Sequence, residues 1–284
     1  MRTIPRILAA CLTLIALSAP VPALASSCYA FVEDLRRTMP GVQYANLGAV
    51  ASVSQEVKIT YVAHSAFRIE TVEGVTLVTD YFGTAGRDDN GPISPDVVTM
   101  NHAHITHWDP NPDPAIPYVL RGWNHDGKGP ASYKLKVRDV IVRNVTTDIR
   151  GWGAPEEDGN SIFIFEVADL CIGHLGHLHH VPDEEQFAKI GRLDVVMAPV
   201  DGSMTLNLPD MIGILKRFRA RVVLPMHYFG YGTLQTFLTG MSDEFAIQGP
   251  AGRSITLAFD SLPSRPTVVL LAPDNAADPN FDLD

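Results

Sequence analysis

Three short apolar runs in this sequence each end at histidines, and this repeated pattern limits the folds open to the chain. The runs are 95–100 (Pro-Asp-Val-Val-Thr-Met), 169–173 and 221–225. The histidines that follow them are His102, His104, His107, His174, His177 and His227. Such runs are typical of buried strands, and the ends of neighbouring strands meet at one edge of a sheet. Since neutral imidazole is the commonest metal ligand, the pattern predicts a metal site at that edge; a chance cluster of surface histidines is the alternative.

The rest of the sequence alternates short strands with a few helices. Further strands are predicted at 57–62, 66–70, 75–79, 139–144, 161–167, 193–200, 255–259 and 268–271, and helices at 29–39, 183–190 and 208–218. A stretch rich in proline and glycine at 108–130 is expected to be a loop that forms a lid or pocket wall beside the histidines. No repeat or linker divides the sequence, which favours a single α/β domain over residues 51–284.

The N-terminus has the features of a secretory signal peptide. Arg2 and Arg6 precede an apolar run at 7–17, and Ala23-Leu24-Ala25 offers a cleavage site. The apolar run is too short for an ordinary transmembrane helix. We therefore expect residues 1–25 to be removed and the protein to be exported, as a periplasmic or secreted protein without a transmembrane segment.

The two cysteines of the mature chain leave alternatives open. Residues 26–50 are expected to form an extension that contains the helix at 29–39. A lipoprotein attached through Cys28 is a weaker alternative to simple export, because Ala25-Ser26-Ser27-Cys28 matches that processing signal poorly. Cys28 and Cys171 can pair in an oxidising compartment, although Cys171 is more simply explained as a small core residue.

The acidic composition bears on the partners of the chain. The formal net charge is −10, and it becomes −12 once Arg2 and Arg6 leave with the signal peptide. An acidic protein is a poor match for nucleic acid, because phosphates require clustered lysine and arginine. We therefore expect a small-molecule substrate and no nucleic-acid partner.

Four motifs in chain order resemble the metallo-β-lactamase superfamily. The segment 102–107 (His-Ala-His-Ile-Thr-His) resembles its His-x-His-x-Asp-His signature. The segments 59–67 (Ile-Thr-Tyr-Val-Ala-His-Ser-Ala-Phe), 174–177 (His-Leu-Gly-His) and 225–228 (Pro-Met-His-Tyr) resemble motifs of the ascorbate-6-phosphate lactonase-like branch. That branch includes N-acylphosphatidylethanolamine phospholipase D-like hydrolases. The resemblance implies an αββα sandwich with two metal ions held between its layers.

The resemblance also implies a ligand set for each ion. The sets are His102, His104 and His174 for the first ion, and His107, His177 and His227 for the second. The sequence departs from the family at Thr106 and His177, where the family has aspartate ligands. Because carboxylates offset the charge of two cations, we expect a first site of nearly normal strength, a weaker second site, and one or two bound ions.

The function implied is that of an exported metal-dependent hydrolase. An all-nitrogen ligand set favours zinc, with Mn²⁺ or Fe²⁺ as alternatives, and a metal-bound hydroxide would attack an ester, lactone or phosphodiester. His64, His177 or Asp201 would handle protons, and Asp80 could orient a histidine from behind. The alternative is a non-catalytic metal-binding protein of the same fold that has lost its carboxylates.

Overall fold

A computed structural model describes residue 28 and residues 55–88, 91–124, 129–151 and 153–272. In this part of the chain two large β-sheets pack face to face, and a short two-stranded ribbon pairs separately. The predicted signal peptide at 1–25 and the helix predicted at 29–39 lie outside the described residues, and both stay predictions.

The first sheet has six strands. They are β1 (Val57–Ala63), β2 (Ala66–Glu70), β3 (Thr76–Val78), β6 (Val97–Met100), β7 (Tyr118–Arg121) and β15 (Ser254–Leu257), in the spatial order β15-β1-β2-β3-β6-β7. The ribbon consists of β4 (Arg87–Asp88) and β5 (Gly91–Pro92). Strands β3, β6 and β7 are parallel, so β3 and β6 end at the same edge of the sheet.

The second sheet has eight strands. They are β8 (Lys134–Val137), β9 (Val140–Ile149), β10 (Glu156–Val167), β11 (Leu170–His174), β12 (Val195–Pro199), β13 (Val222–Met226), β14 (Ala246–Gln248) and β16 (Thr267–Val269), in the order β14-β16-β13-β12-β11-β10-β9-β8. Strands β11, β12 and β13 are parallel neighbours. Their carboxyl ends therefore lie side by side, as the sequence pattern predicts.

The main core lies between the two sheets. Ile59, Phe67 and Leu77 of the first sheet and Phe163 and Met197 of the second belong to one cluster and are fully buried. Each such side chain contributes about 1.5–3 kcal/mol by leaving water. These buried side chains hold the two sheets together, so that the ends of their strands meet at one edge of the sandwich.

Three α-helices cover the outer face of the second sheet: α1 (Glu184–Ile190), α2 (Leu208–Phe218) and α3 (Tyr231–Met241). Asp183 and Gln186 form a reciprocal cap at the start of α1. The Asn207 side chain accepts a hydrogen bond from the Asp210 backbone N–H at the start of α2. Within the described residues, none of the helices has the length and apolar character that a bilayer span requires.

The predicted α/β sandwich is confirmed, with one difference in its outer layers. The outer face of the first sheet is covered by side chains from loops, including Tyr81, Ile116, Trp108 and Trp123. Among the described residues, the α-helices lie on the second sheet alone. The proline-rich stretch at 108–130, expected to be a loop, contains the edge strand β7.

Helix α3 was missed by the sequence pattern. Its sequence, Tyr-Gly-Thr-Leu-Gln-Thr-Phe-Leu-Thr-Gly-Met, is rich in glycine and threonine, which have low helix propensity. However, Leu234, Phe237 and Met241 recur at helical spacing and are buried against the sheet. Packing of this apolar face therefore overrides the weak local preference.

A disulfide bond joins Cys28 to Cys171, which resolves the alternative left open by the sequence. The backbone N–H of Arg192 donates to the Cys28 carbonyl, so residue 28 lies beside the starts of β11 and β12. Because this thiol is used in the disulfide, it cannot at the same time carry a lipid. Lipid attachment at Cys28, the weaker alternative to simple export, stays a prediction that requires this bond to be absent.

Candidate metal centre

Within the described part of the chain, six histidine rings meet where β1, β6, β11 and β13 end. They are His64, His102, His104, His107, His177 and His227. Ring centroids of neighbouring pairs lie between 4.2 Å (His64–His227) and 6.3 Å (His102–His104) apart. The structure thus brings together five of the six predicted ligands and adds His64, which the sequence suggested for proton transfer.

An inner trio of these histidines has the geometry of a metal site. Ring nitrogens of His64, His107 and His227 all lie within 4.8 Å of one another. The Nε2 atoms of His64 and His107 are buried and have no hydrogen-bond partner. A buried polar atom without a partner costs about 1–3 kcal/mol, and a metal ion bound to both nitrogens would remove that cost. The residues present therefore fit a divalent cation.

Asp80 fixes the ring of His107 from behind. His107 Nδ1 donates to Asp80 Oδ2 at 2.6 Å, and the Ser65 hydroxyl lies 3.1 Å from the same nitrogen. Burial opposes ionisation of Asp80, but the neighbouring His107 and the N–H of Asn101 lower its pKa below the ordinary value. This carboxylate leaves the lone pair of His107 on Nε2, as in many metal-binding histidines.

Asp201 plays the same part for His227. His227 Nδ1 donates to Asp201 Oδ2 at 2.9 Å, and the other carboxylate oxygen accepts three backbone N–H groups from residues 203–205. Burial opposes ionisation, yet the bonds from His227, Thr205 and the backbone hold the pKa of Asp201 well below its ordinary value. The sequence proposed Asp201 as a proton-handling group; a carboxylate so fully bonded is a weak base and instead positions His227.

His64 owes its position to an unusual backbone conformation. Both His64 and His227 have φ = 52°, in the left-handed region that non-glycine residues rarely adopt. The His64 carbonyl accepts hydrogen bonds from the Tyr61 hydroxyl (2.7 Å) and from the His227 N–H (2.8 Å). Burial, followed by the nearby rings of His227 and His107, lowers the pKa of His64 to about 3. The ring is therefore neutral near pH 7 and offers a lone pair.

His102 and His104 form an outer pair at the same edge. Their ring planes are nearly parallel, and His102 Nδ1 donates to the Gly159 carbonyl at 2.8 Å. His104 Nδ1 lies 3.0 Å from the hydroxyl of Thr106. Thr106, at the position where the resemblance implies an aspartate, thus contacts His104 of the outer pair.

His174 lies outside the cluster, which corrects the ligand role expected for it. The ring is fully buried; its Nε2 donates to the Ser65 carbonyl at 2.7 Å, and its Nδ1 accepts from the Gly176 N–H at 3.2 Å. Both nitrogens are therefore used by the backbone. As the last residue of β11, His174 points between the sheets, and only His177 reaches the histidine edge.

His177 is supported by His179, a residue that the sequence motifs did not point to. His179 is buried, and its Nε2 lies 2.8 Å from His177 Nδ1. The backbone N–H of Arg150 donates to His179 Nδ1 at 3.0 Å. The one signal in the sequence was the spacing of two between His177 and His179, which places both rings on one side only if the segment is extended.

Exposed apolar side chains lie on the loops at the same edge of the sandwich. Ile105 lies within the first histidine loop, Met204 in the turn held by Asp201, and Phe229 and Tyr231 just after β13. All four are more than half exposed, and the Phe229 ring lies 5.0 Å from His227. Because large apolar side chains at a polar site are costly to expose, this rim favours an apolar ligand group.

Comparisons with known proteins point to one family. The profile of the family described as "Beta-lactamase superfamily domain" matches residues 58–227, more than half of the chain. A UPF0173 metal-dependent hydrolase from Salinibacter ruber is 26% identical over 207 residues, which cover 66% of this chain and 91% of that protein.

Solved structures show the same fold. A metallo-β-lactamase superfamily protein from Thermotoga maritima aligns with a TM-score of 0.55 at 26% identity, covering 76% of this chain and 98% of that one. A metallo hydrolase from Ignicoccus hospitalis aligns with a TM-score of 0.54 at 18% identity, covering 72% and 99%. These similarities confirm the fold expected from the four motifs.

Proposed function

This chain belongs to the β-lactamase superfamily domain family, and on that basis we propose that it is a metal-dependent hydrolase. The observation that carries the proposal is the inner trio, His64, His107 and His227, with two buried ring nitrogens that have no partner. The names of relatives as metal-dependent hydrolases support the same reaction class.

We propose the inner trio as the stronger metal site and zinc as its ion. Three imidazole nitrogens suit zinc, whereas Mn²⁺ prefers carboxylate oxygen. When bound, the ion would polarise the scissile group and lower the pKa of a water molecule to about 7. His102 and His104 offer two further nitrogens for a weaker second ion. The sequence predicted the stronger site at His102, His104 and His174, so this order is the reverse. The reason is that both ring nitrogens of His174 bond to the backbone, whereas His64 joins the inner trio.

The reaction proposed is addition of water across the acyl–oxygen bond of an ester or lactone, or the phosphorus–oxygen bond of a phosphodiester. The acyl or phosphoryl group gains the hydroxyl, and the leaving oxygen gains the remaining proton. Resemblance of 225–228 to the lactonase-like and phospholipase D-like branch supports this substrate range. The apolar rim of Ile105, Met204, Phe229 and Tyr231 supports a small molecule with an apolar part.

Metal content and turnover together test this proposal. Elemental analysis of purified wild type should find zinc, and His107→Ala should lose it together with hydrolysis of p-nitrophenyl butyrate and bis(p-nitrophenyl) phosphate. His180→Ala, at an exposed histidine outside the cluster, is the matched control. Zinc without turnover on ester, lactone and phosphodiester probes would favour the alternative of a non-catalytic metal-binding protein.

The apolar rim can be tested by substrate length. Each buried methylene contributes about 0.8 kcal/mol, so wild type should prefer the butyrate over the acetate ester by about tenfold in kcat/KM. Phe229→Ala should reduce that preference, while Val72→Ala, at the distant turn before β3, should leave it unchanged. An unchanged preference for the butyrate ester in Phe229→Ala would show that the apolar rim does not contact the substrate.

We further propose that the mature protein is exported, as the signal-like N-terminus suggests. The Cys28–Cys171 disulfide supports an oxidising compartment, because such bonds rarely persist in the cytosol. Mass spectrometry of the protein from cell fractions should find a chain that begins at Ser26 outside the cytoplasm. A full-length chain confined to the cytoplasm would contradict export.

A further inference from the structure

The half-buried ring of His177 lies in the middle of the cluster. Its centroid is 4.6 Å from His107, 5.2 Å from His227 and 5.4 Å from His102. In the family this position is an aspartate ligand, and the sequence suggested that His177 replaces it as a ligand. Its ring nitrogens, however, do not join the close trio of His64, His107 and His227.

The hydrogen bonds behind His177 determine where its proton lies. A backbone N–H can only donate, so His179 Nδ1 accepts from Arg150 and carries no proton. Neutral His179 then has its proton on Nε2, which donates to His177 Nδ1 at 2.8 Å. Because His177 Nδ1 is an acceptor, the proton of neutral His177 is on Nε2.

In three other candidate ligands the ring proton lies on the opposite nitrogen from that of His177. His102 faces a carbonyl with its Nδ1, and His107 and His227 face the carboxylates of Asp80 and Asp201 with theirs. Each of these rings must carry its proton on Nδ1, which leaves an Nε2 lone pair for a metal ion. His177 presents an N–H where these rings present a lone pair.

The backbone of His177 is held firmly in this position. Its N–H donates to Asn160 Oδ1 at 2.8 Å. The preceding Gly176 has φ = +61°, and a Cβ there would lie 2.4 Å from Asn101 Nδ2. The turn therefore requires glycine, and it fixes the point from which the His177 side chain enters the cluster.

We propose that His177 is a hydrogen-bond donor to the substrate and not a metal ligand. Its Nε2–H would donate to the oxygen of the scissile ester or phosphodiester on which negative charge develops as water adds. His179 is the positioning residue that selects this tautomer through the Arg150 backbone. The inference deepens the proposed function and rests on it for the identity of the substrate group. Loss of one such donor typically reduces kcat by about 10²–10³-fold.

The tautomer pattern can be measured without turnover. Long-range ¹H–¹⁵N NMR spectra of zinc-loaded, ¹⁵N-histidine-labelled protein distinguish Nδ1–H from Nε2–H rings. We expect Nε2–H for His177 and His179, and Nδ1–H for His107 and His227, which serve as internal controls. An Nδ1–H ring for His177 with a metal-bound Nε2 would overturn the proposal.

Variants give an independent test. His177→Ala and His177→Gln should both keep the zinc content and zinc affinity of wild type in competition with a chromophoric chelator. With p-nitrophenyl butyrate, kcat should fall about 100-fold in His177→Ala with little change in KM, and the amide donor of His177→Gln should restore part of it. His180→Ala should match wild type throughout.

Loss of zinc from His177→Ala would identify it as a ligand and overturn the proposal, as would an unchanged kcat in that variant. The NMR spectra and the zinc content need no substrate, so they show whether His177 is a metal ligand even if wild type hydrolyses none of the probes. A wild type without hydrolysis would contradict the proposed hydrolase function, independently of that result.

Discussion

At the scale of single residues, Thr106 and His64 take different places around the histidines. Thr106 turns its hydroxyl to His104, while His64 places a neutral ring beside His107 and His227. The inner trio therefore offers three ring nitrogens that lie close enough to bind one metal ion. His64, assigned to proton transfer from the sequence alone, is better placed as a ligand.

The positions of His64 and Thr106 lead to a rescue experiment. His64→Ala should bind zinc more weakly than wild type by at least about tenfold, because one of three protein ligands is removed. Adding Thr106→Asp in the same chain should recover much of the affinity by returning a carboxylate to the family position. Chelator competition measures both; equal affinity of wild type and His64→Ala would contradict the assignment.

Asp80→Asn tests whether the carboxylate behind His107 sets the tautomer. Asparagine tolerates the φ of 43° at this position, and its oxygen can still accept from the Asn101 N–H. Its NH₂ group would then face His107 Nδ1 and force the proton to Nε2. We expect zinc affinity to fall by about 10–100-fold. Asp260→Asn, at an exposed carboxylate, is the control.

Sequence reasoning identified most of these residues but not their orientations. The histidines could be placed because they follow strands, and Asp80 because it follows one as well. Whether a ring enters the cluster depends on the local turn: left-handed φ brings His64 in, and the straight end of β11 keeps His174 out. Such backbone details are not encoded in residue spacing.

At the scale of elements, the turn after β11 is the most constrained connection at the site. It must deliver His177 to the cluster within three residues of His174 while passing close to Asn101 and Asn160. Strand patterns predicted β11 correctly, whereas β10 extends five residues earlier than expected because it pairs along β9. Cross-strand pairing, a tertiary effect, thus lengthened a strand whose local sequence was ambiguous.

Gly176→Ala should disturb this turn. The positive φ and the close approach of Asn101 predict a loss of about 1–3 kcal/mol in the free energy of unfolding, measured by urea titration. Gly213→Ala, at an exposed position of α2 with no atom within 4 Å of the added Cβ, should instead stabilise by about 0.5–1 kcal/mol. Equal effects at the two sites would refute the strained-turn interpretation.

At the scale of the whole molecule, one edge of the sandwich collects the clustered histidines, and His107 and His227 are buried there. The strand and helix pattern predicted a single α/β domain, the resemblance of the four motifs implied the sandwich, and its fold is confirmed. The disulfide was not predictable, since two cysteines 143 residues apart give no sign of meeting.

The metal-free protein should lose stability on mild acidification. Burial lowers the pKa of His64 to about 3 and that of His179 to about 4, against 6.5 in the unfolded chain. Between these values the unfolded chain binds more protons, so stability is full above pH 6.5 and falls as pH decreases below it. Urea titrations with EDTA at pH 7.5 and pH 5.0 measure the difference. No loss at pH 5.0 would mean that the rings are charged in the folded state.

The disulfide has a practical consequence for handling the protein. Cys171 lies at the start of β11, three residues or about 10 Å before His174, so Cys28 is attached at the end of the sandwich away from the histidines. Anything joined ahead of residue 28, such as a resin or a fusion partner, is anchored at that far end. Immobilisation through the N-terminus should therefore leave the histidine edge open to solution, whatever its substrate is.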